Sequence, residues 1–251
     1  MISPIKIQYL GQDYSFNPSE PIDISMILNE DSANCYYADK VGFETYEMGD
    51  FIGSVARGGV VNYQKITLTP HGNGTHTECY GHLSADNSAN IYNCLKEYMF
   101  VCHLVTLPVH QQGEDQLVTL QDLKNNMLQQ MPEAVIIRTT PNTPDKLTRQ
   151  YSGSNPPYLE ASIGKFLADH KVKHLLVDLP SVDREVDGGK LLCHRAFWQH
   201  PEKTRKDSTI TELVYVNSTV PDGLYLLNLQ VISLWSDASP SKPIIYPLSK
   251  I

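Results

Sequence analysis

The chain reads as an α/β protein, and three observations carry that reading. Apolar, β-branched runs alternate with helically spaced segments through the middle of the sequence. Polar, proline-bearing connections separate them. The 251 residues, 41 % hydrophobic and 19 % charged, suffice for a sizeable core. Residues 1–60 are rich in Asp, Asn, Ser, Tyr and Gly, with a short apolar run at 22–28, and predict loops and short strands. The run 60–68 (V-V-N-Y-Q-K-I-T-L) is β-branched and ends near Pro70, which predicts a strand. A buried strand follows at 99–107. Leu120, Leu123 and Met127 then repeat at helical spacing behind Thr119, with Asp122 placed to complete a capping box. Residues 134–138 (A-V-I-I-R) predict the next strand. Leu159, Ile163, Phe166 and Leu167 give one apolar face to a helix within 158–170, and 174–179 returns as a strand. Strand–helix–strand–helix–strand in this order argues for an α/β core. Two more strands are expected at 210–216 and 225–234, and long functional loops at 139–157 and 183–207.

Composition narrows the classes. With 20 Lys+Arg against 28 Asp+Glu the formal charge is −8, and no basic patch stands out, so nucleic acid is not an expected partner. No apolar run has the roughly 18 residues of a membrane span. Residues 1–13 lack the basic and apolar regions of a signal peptide. The five cysteines are odd in number and form no C-x-x-C pair, which predicts reduced thiols and a cytoplasmic location.

The chemistry concentrates in His71-Gly72-Asn73-Gly74-Thr75-His76-Thr77-Glu78-Cys79-Tyr80-Gly81-His82. Three of the nine histidines and a carboxylate lie in these twelve residues. Imidazole nitrogen and carboxylate oxygen are the usual donors for zinc and manganese. If the segment is extended, His76 and Glu78 share a face. The alternative is a polar surface loop with incidental histidines. Downstream, Asp178-Leu179-Pro180-Ser181-Val182-Asp183 closes a strand, where α/β proteins place ligands; either aspartate alone serves equally as a turn former. Glu212 interrupts an apolar strand, facing solvent or buried against a cation. Cys79 and Cys193 adjoin the two histidine groups, so a thiol nucleophile is a further candidate. No G-x-S-x-G, G-x-x-x-x-G-K-[ST] or G-x-G-x-x-G element is present. Tyr80, Phe197 and Trp198 stand either as stacking partners for an aryl group or as core.

Gly74-Thr75-His76-x-Glu78-x-x-x-His82 resembles H-x-G-T-H-x-D-x-x-x-H, the motif of the cyclase-like metal-dependent hydrolases that include bacterial kynurenine formamidase and isatin hydrolase. Ile22-Asp23-Ile24-Ser25 is similar to that family's early D-L-S element. Asp178 to Asp183 is similar to its D-x-x-S-x-D segment, and a later histidine and strand glutamate match His194 and Glu212. The resemblance implies one domain over residues 1–251 of the swivelling β/β/α type, with a mixed sheet and flanking helices. It further implies a homodimer or homotetramer, one or two divalent zinc or manganese ions, and hydrolysis of a small amide by metal-activated hydroxide. The family's best-known substrate is an aryl formamide; a cyclic amide, imide or lactone is the alternative, and a non-catalytic small-molecule binder is the rival class. His76 would then ligate metal, Glu78 would replace the family's Asp, His194 and Glu212 would complete a second metal position, and His82 would shuttle a proton. Thr75, Ser181 and Asp183 stand as ligands or as hydrogen-bonding supports. The family's first histidine falls here at Gly72. Either the loop bulges to bring His71 in, or Asn73 donates in its place, or that ligand is lost.

Overall fold

The computed structural model describes residues 3–251, so the first two residues of the 1–13 stretch lie outside it. Its centre is a seven-stranded sheet closed on itself. The strands are β1 (His76–Cys79), β2 (Met99–Pro108), β3 (Ala134–Thr140), β4 (His174–Val177), β5 (Thr209–Glu212), β6 (Gly223–Val231) and β7 (Ala238–Pro247). Their spatial order is β6-β2-β3-β4-β5-β1-β7, and β7 pairs back onto β6. Strands β2 to β5 are parallel, with Ala134 opposite both Cys102 and His174, and His174 opposite Thr209. The remaining pairings are antiparallel, so the sheet is mixed.

Parallel neighbours need crossovers. Helix α1 (Leu120–Asn126) supplies one and α2 (Ala161–Asp169) another. The Thr119 hydroxyl caps α1 by accepting from the Asp122 backbone N–H at 3.2 Å. The four central strands are almost wholly buried, and their Val, Ile and Leu side chains join α2 and Trp198 in one continuous core.

Three expectations need correction. The 183–207 stretch is not a loop throughout, because Leu192–Trp198 forms a helix, α3. It lacks an N-cap residue of its own; the Asp183 carboxylate accepts from the backbone N–H of Cys193 (2.8 Å) and His194 (3.1 Å) instead. A cap supplied from ten residues away leaves no local sequence signal. Helices α2 and α3 touch at Gly164, where a Cβ would stand 2.5 Å from the Cys193 carbonyl oxygen. Strand β7 went unpredicted because Pro240, Pro243 and Pro247 argue against a central strand. It tolerates them where its outer edge changes partner, from β1 at Ala238–Pro240 to the short strand Ile22–Asp23 at Ile244 and Ile245. The strand expected at 60–68 shrinks to Gln64–Thr67, which pairs only with Gly42–Thr45 in an exposed arm.

Candidate metal centre

The site forms on the face of β1 and β5 that looks toward α3. Strand pleating sends His76 and Glu78 to one side of β1 and Thr77 to the other, where its hydroxyl meets that of Thr211 at 2.8 Å. Glu212, directly opposite His76 in the β1–β5 register, places Oε2 3.3 Å from His76 Nε2. From α3, His194 Nε2 reaches Glu78 Oε1 at 2.9 Å and stands 3.7 Å from Glu212 Oε1. His71, in the loop before β1, brings Nδ1 within 3.0 Å of Glu78 Oε2. His82, in the turn after β1, holds Nδ1 3.9 Å from the same oxygen, and its ring lies over that of His71 with centroids 4.3 Å apart.

Each inward-facing imidazole is held from behind. His76 Nδ1 is 3.0 Å from the Gly74 carbonyl oxygen. His194 Nδ1 is 2.7 Å from Asp183 Oδ2, and His71 Nε2 is 2.7 Å from Asp237 Oδ2. Above them opens a cavity of about 320 Å³, with Tyr36, Ala38, Ser181 and Leu191 among its walls.

Electrostatically this is a concentration of negative charge. Glu78, Asp183, Glu212 and Asp237 surround four imidazoles. Burial opposes ionisation of Glu78, but the neighbouring His82 and His194 hold its carboxyl well below the usual range. Burial disfavours a charged His71, yet its contacts to Asp237 and Glu78 raise it to about 10. His194 is likewise raised, against its burial, by Glu78 and Asp183. Such a cluster either collects protons on its histidines or accepts a dication. The donor chemistry favours the dication. His76 Nε2 and Glu78 Oε2 are both buried and make no well-aligned hydrogen bond, meeting only Glu212 Oε2 at 3.3 Å and His71 Nδ1 at 3.0 Å, and buried polar atoms so incompletely satisfied are costly. Ligand atoms of His71, His76 and Glu78 lie within 4.8 Å of one another, as do those of Glu78, His82 and His194. Mixed imidazole and carboxylate donors of this kind fit zinc or manganese.

The structure therefore brings His71, His76, Glu78, His82, His194 and Glu212 together. It removes Asn73 from the ligand alternatives: the amide oxygen accepts from Thr69 N–H (2.7 Å) and the amide nitrogen donates to the Asp39 carbonyl (2.9 Å), fixing the loop. Thr75 is a splint, accepting from Met26 N–H at 2.8 Å and donating to the Leu213 carbonyl. Ser181 lines the cavity and accepts from the Asp183 N–H at 3.1 Å, while Asp183 orients His194. Asp178 lies outside the cluster; it accepts from the buried Lys146 ammonium at 2.8 Å and pins the 139–157 loop. Cys79 and Cys193 are fully buried and line no part of the cavity, and burial pushes the Cys193 thiol well up, so neither is a nucleophile there. Phe197 and Trp198 are core, with Trp198 Nε1 donating to the Ser208 carbonyl at 2.9 Å. The residues missed by sequence reasoning are Asp237 and Tyr36. Neither sits near another candidate in sequence, and Asp237 reads as a turn residue before prolines.

A family model described as "Putative cyclase" matches residues 22–184, and the chain belongs to that family. Kynurenine formamidase of Bacillus mycoides is 26 % identical over 235 residues, covering 92 % of this chain and 99 % of its own. That of Bacillus cytotoxicus is 28 % identical over 231 residues with the same coverage. Isatin hydrolase A from Labrenzia aggregata superposes with a TM-score of 0.64 at 14 % identity, over 90 % of this chain and 93 % of that one.

Proposed function

We propose that this chain is a metal-dependent hydrolase that cleaves a small amide, an aryl formamide in the first instance. One observation carries the reading. His76 Nε2 and Glu78 Oε2, buried and without a well-aligned hydrogen bond, lie among His71, His194 and Glu212 at the floor of a small-molecule cavity. The kynurenine formamidases at 26–28 % identity support the substrate class.

His71, His76 and Glu78 would hold one divalent ion, zinc or manganese, and Glu78, His194 and Glu212 a second. Bound there, the ion supplies a Lewis acid that polarises the scissile carbonyl and lowers the pKa of water towards about 7. Everything else falls to the side chains. His82 stays at the rim, about 29 % exposed, with Nδ1 turned towards Asp237 at 3.5 Å and Glu78 at 3.9 Å. Its Nε2 is left to take the proton of the attacking water. As the C–N bond breaks, the same nitrogen returns that proton to the leaving amine, and an aryl amine and formic acid depart, the acid then losing its proton to solvent. An imidazole nitrogen can both accept and donate a proton and so suits both halves of this exchange. Tyr36, Ala38 and Leu191 offer the aryl ring an apolar wall. The acidic balance of −8 fits a small-molecule substrate better than nucleic acid, and no helix among the described residues is long and apolar enough to cross a membrane. We also propose that the site works within a homo-oligomer.

The test begins with metal content per chain, by plasma mass spectrometry on protein purified without a metal-affinity tag. One or two equivalents of zinc or manganese are expected, lost in His76→Ala. N-formyl anilides are then assayed against cyclic amides, imides and lactones. His82→Ala should keep its metal and lose roughly 10² to 10⁴ in turnover. No metal after incubation with zinc and manganese would leave a non-catalytic binder, and near-normal turnover in His82→Ala would remove the shuttle.

A further inference from the structure

The loop that should present a histidine at position 72 cannot do so. Gly72 is packed so tightly that a Cβ would lie 2.2 Å from Ala38 Cβ and 3.3 Å from the Cys35 carbonyl oxygen. The histidine stands one residue earlier, and this changes how its ring enters the site. His76 and His194 turn Nε2 inward and anchor Nδ1 behind. His71 does the reverse, with Nδ1 3.0 Å from Glu78 and Nε2 pointing out to Asp237 at 2.7 Å. Its side chain is also 27 % exposed, where those of His76 and His194 are buried. The ring packs on those of His82 and His76, contacts that leave its tautomer unset. On its outward side it is held by one carboxylate, Asp237, delivered from the other end of the chain by the segment that leads into β7.

We propose that Asp237 is the positioning residue that makes the displaced His71 a working metal ligand, by accepting from Nε2–H and so fixing the tautomer and ring orientation that present the Nδ1 lone pair inward. This rests on the metal reading given above and deepens it. A hydrogen-bonded carboxylate behind a ligand imidazole raises its basicity and fixes its orientation, and losing that partner typically costs 10- to 100-fold in metal affinity. Asp237 is well placed for the role. The backbone on either side is fixed independently of its carboxylate, since its carbonyl accepts from Cys79 N–H at 3.0 Å and the Ser236 carbonyl accepts from Ile91 N–H at 2.8 Å. The side chain is therefore delivered to His71 by the sheet. Its second neighbour, His82 at 3.5 Å, is not among the proposed ligands, so metal affinity reads the His71 contact alone.

The experiment is a zinc titration by chelator competition on the full chain and four variants. The wild type should bind zinc and Asp237→Ala should bind it 10- to 100-fold more weakly. Asp237→Asn, which keeps an oxygen to accept from Nε2–H, should fall between them. In a His71→Ala background, Asp237→Ala should cost nothing further. Long-range nitrogen–proton NMR of the zinc-loaded wild type should show His71 protonated at Nε2, a readout that a purely structural aspartate would not set. Unchanged zinc affinity in Asp237→Ala overturns the proposal, as does an equal loss in the His71→Ala background or a His71 ring protonated at Nδ1. A wild type that binds no zinc overturns the metal reading itself, and that arm is scored before any variant is compared. Circular dichroism of the metal-free variants separates misfolding from lost affinity, and Asp237→Asn, nearly the same size, keeps the comparison open if the alanine variant unfolds.

Discussion

At position 72 the structure leaves no room for a single added methyl group. The Gly72 carbonyl accepts from Cys35 N–H at 3.0 Å, which draws the two loops together until only hydrogen fits between Gly72 and Ala38. Gly72→Ala should therefore destabilise the protein by about 1–3 kcal/mol, the usual cost of overpacking a close contact. It should also weaken zinc binding, because the same loop carries His71. Ala38→Gly, which removes the opposing methyl, should recover much of both losses. Urea unfolding of the single and double variants checks this; a Gly72→Ala protein as stable as the parent would show that the loops part freely. Gly72→His, which restores the family's spacing, is expected to do worse than alanine.

Strands β4 and β5 begin side by side at His174 and Thr209, and their first pairing is also a side-chain one. His174 Nδ1 lies 2.9 Å from the Thr209 hydroxyl, and its ring packs on Phe100 with centroids 4.0 Å apart. Burial, helped by the charges of Lys173 and Arg205, pushes its pKa down to about 3. Between about pH 6.5 and 3 the unfolded chain thus takes up a proton that the folded one refuses. Stability contributed at this strand start falls as the pH drops through that window. His174→Phe keeps the ring and removes the titration. Its unfolding free energy should be less steep than the parent's between pH 6 and 4, by up to about 1.4 kcal/mol per unit. Urea midpoints at three pH values measure the difference; parallel curves would mean that His174 takes up its proton while folded.

On the scale of the whole molecule, the centre stands across the seam where the sheet closes. Strand β1 is inserted between β5 and β7, so Glu212 reaches the site from one side and Asp237 from the other. An ion held by His71, His76 and Glu78, beside His194 and Glu212, would tie loop, strand and helix into one folded state. Ligand binding to the native state alone stabilises it by RT ln(1 + [L]/Kd), about 2.7 kcal/mol at a hundredfold excess over Kd. Zinc should accordingly raise the unfolding temperature of metal-stripped protein as a single transition, and His76→Ala should abolish the rise. A rise preserved in that variant would place the ion elsewhere.

Much of this was open to a reader of the sequence alone. The parallel strands β2, β3 and β4 and helix α2 are legible because each buries a periodic apolar face, and periodicity is a local property of the chain. Cap and helix appear together at Thr119 for the same reason. His76, Glu78 and His82 are legible because their spacing on one short strand and its turn fixes their common side. Longer-range relations left no such trace. Helix α3 takes its cap from Asp183, β7 hides behind three prolines, and Asp237 meets His71 only because β7 closes the sheet. That position 72 has no room for a side chain rests on a contact between Gly72 and Ala38, 34 residues apart. Sequence determined which donors the protein owns and which faces they share, since those follow from residue type and backbone period. Tertiary structure decided which donors meet and what holds them, since that depends on closing a sheet whose pairing partners lie far apart along the chain.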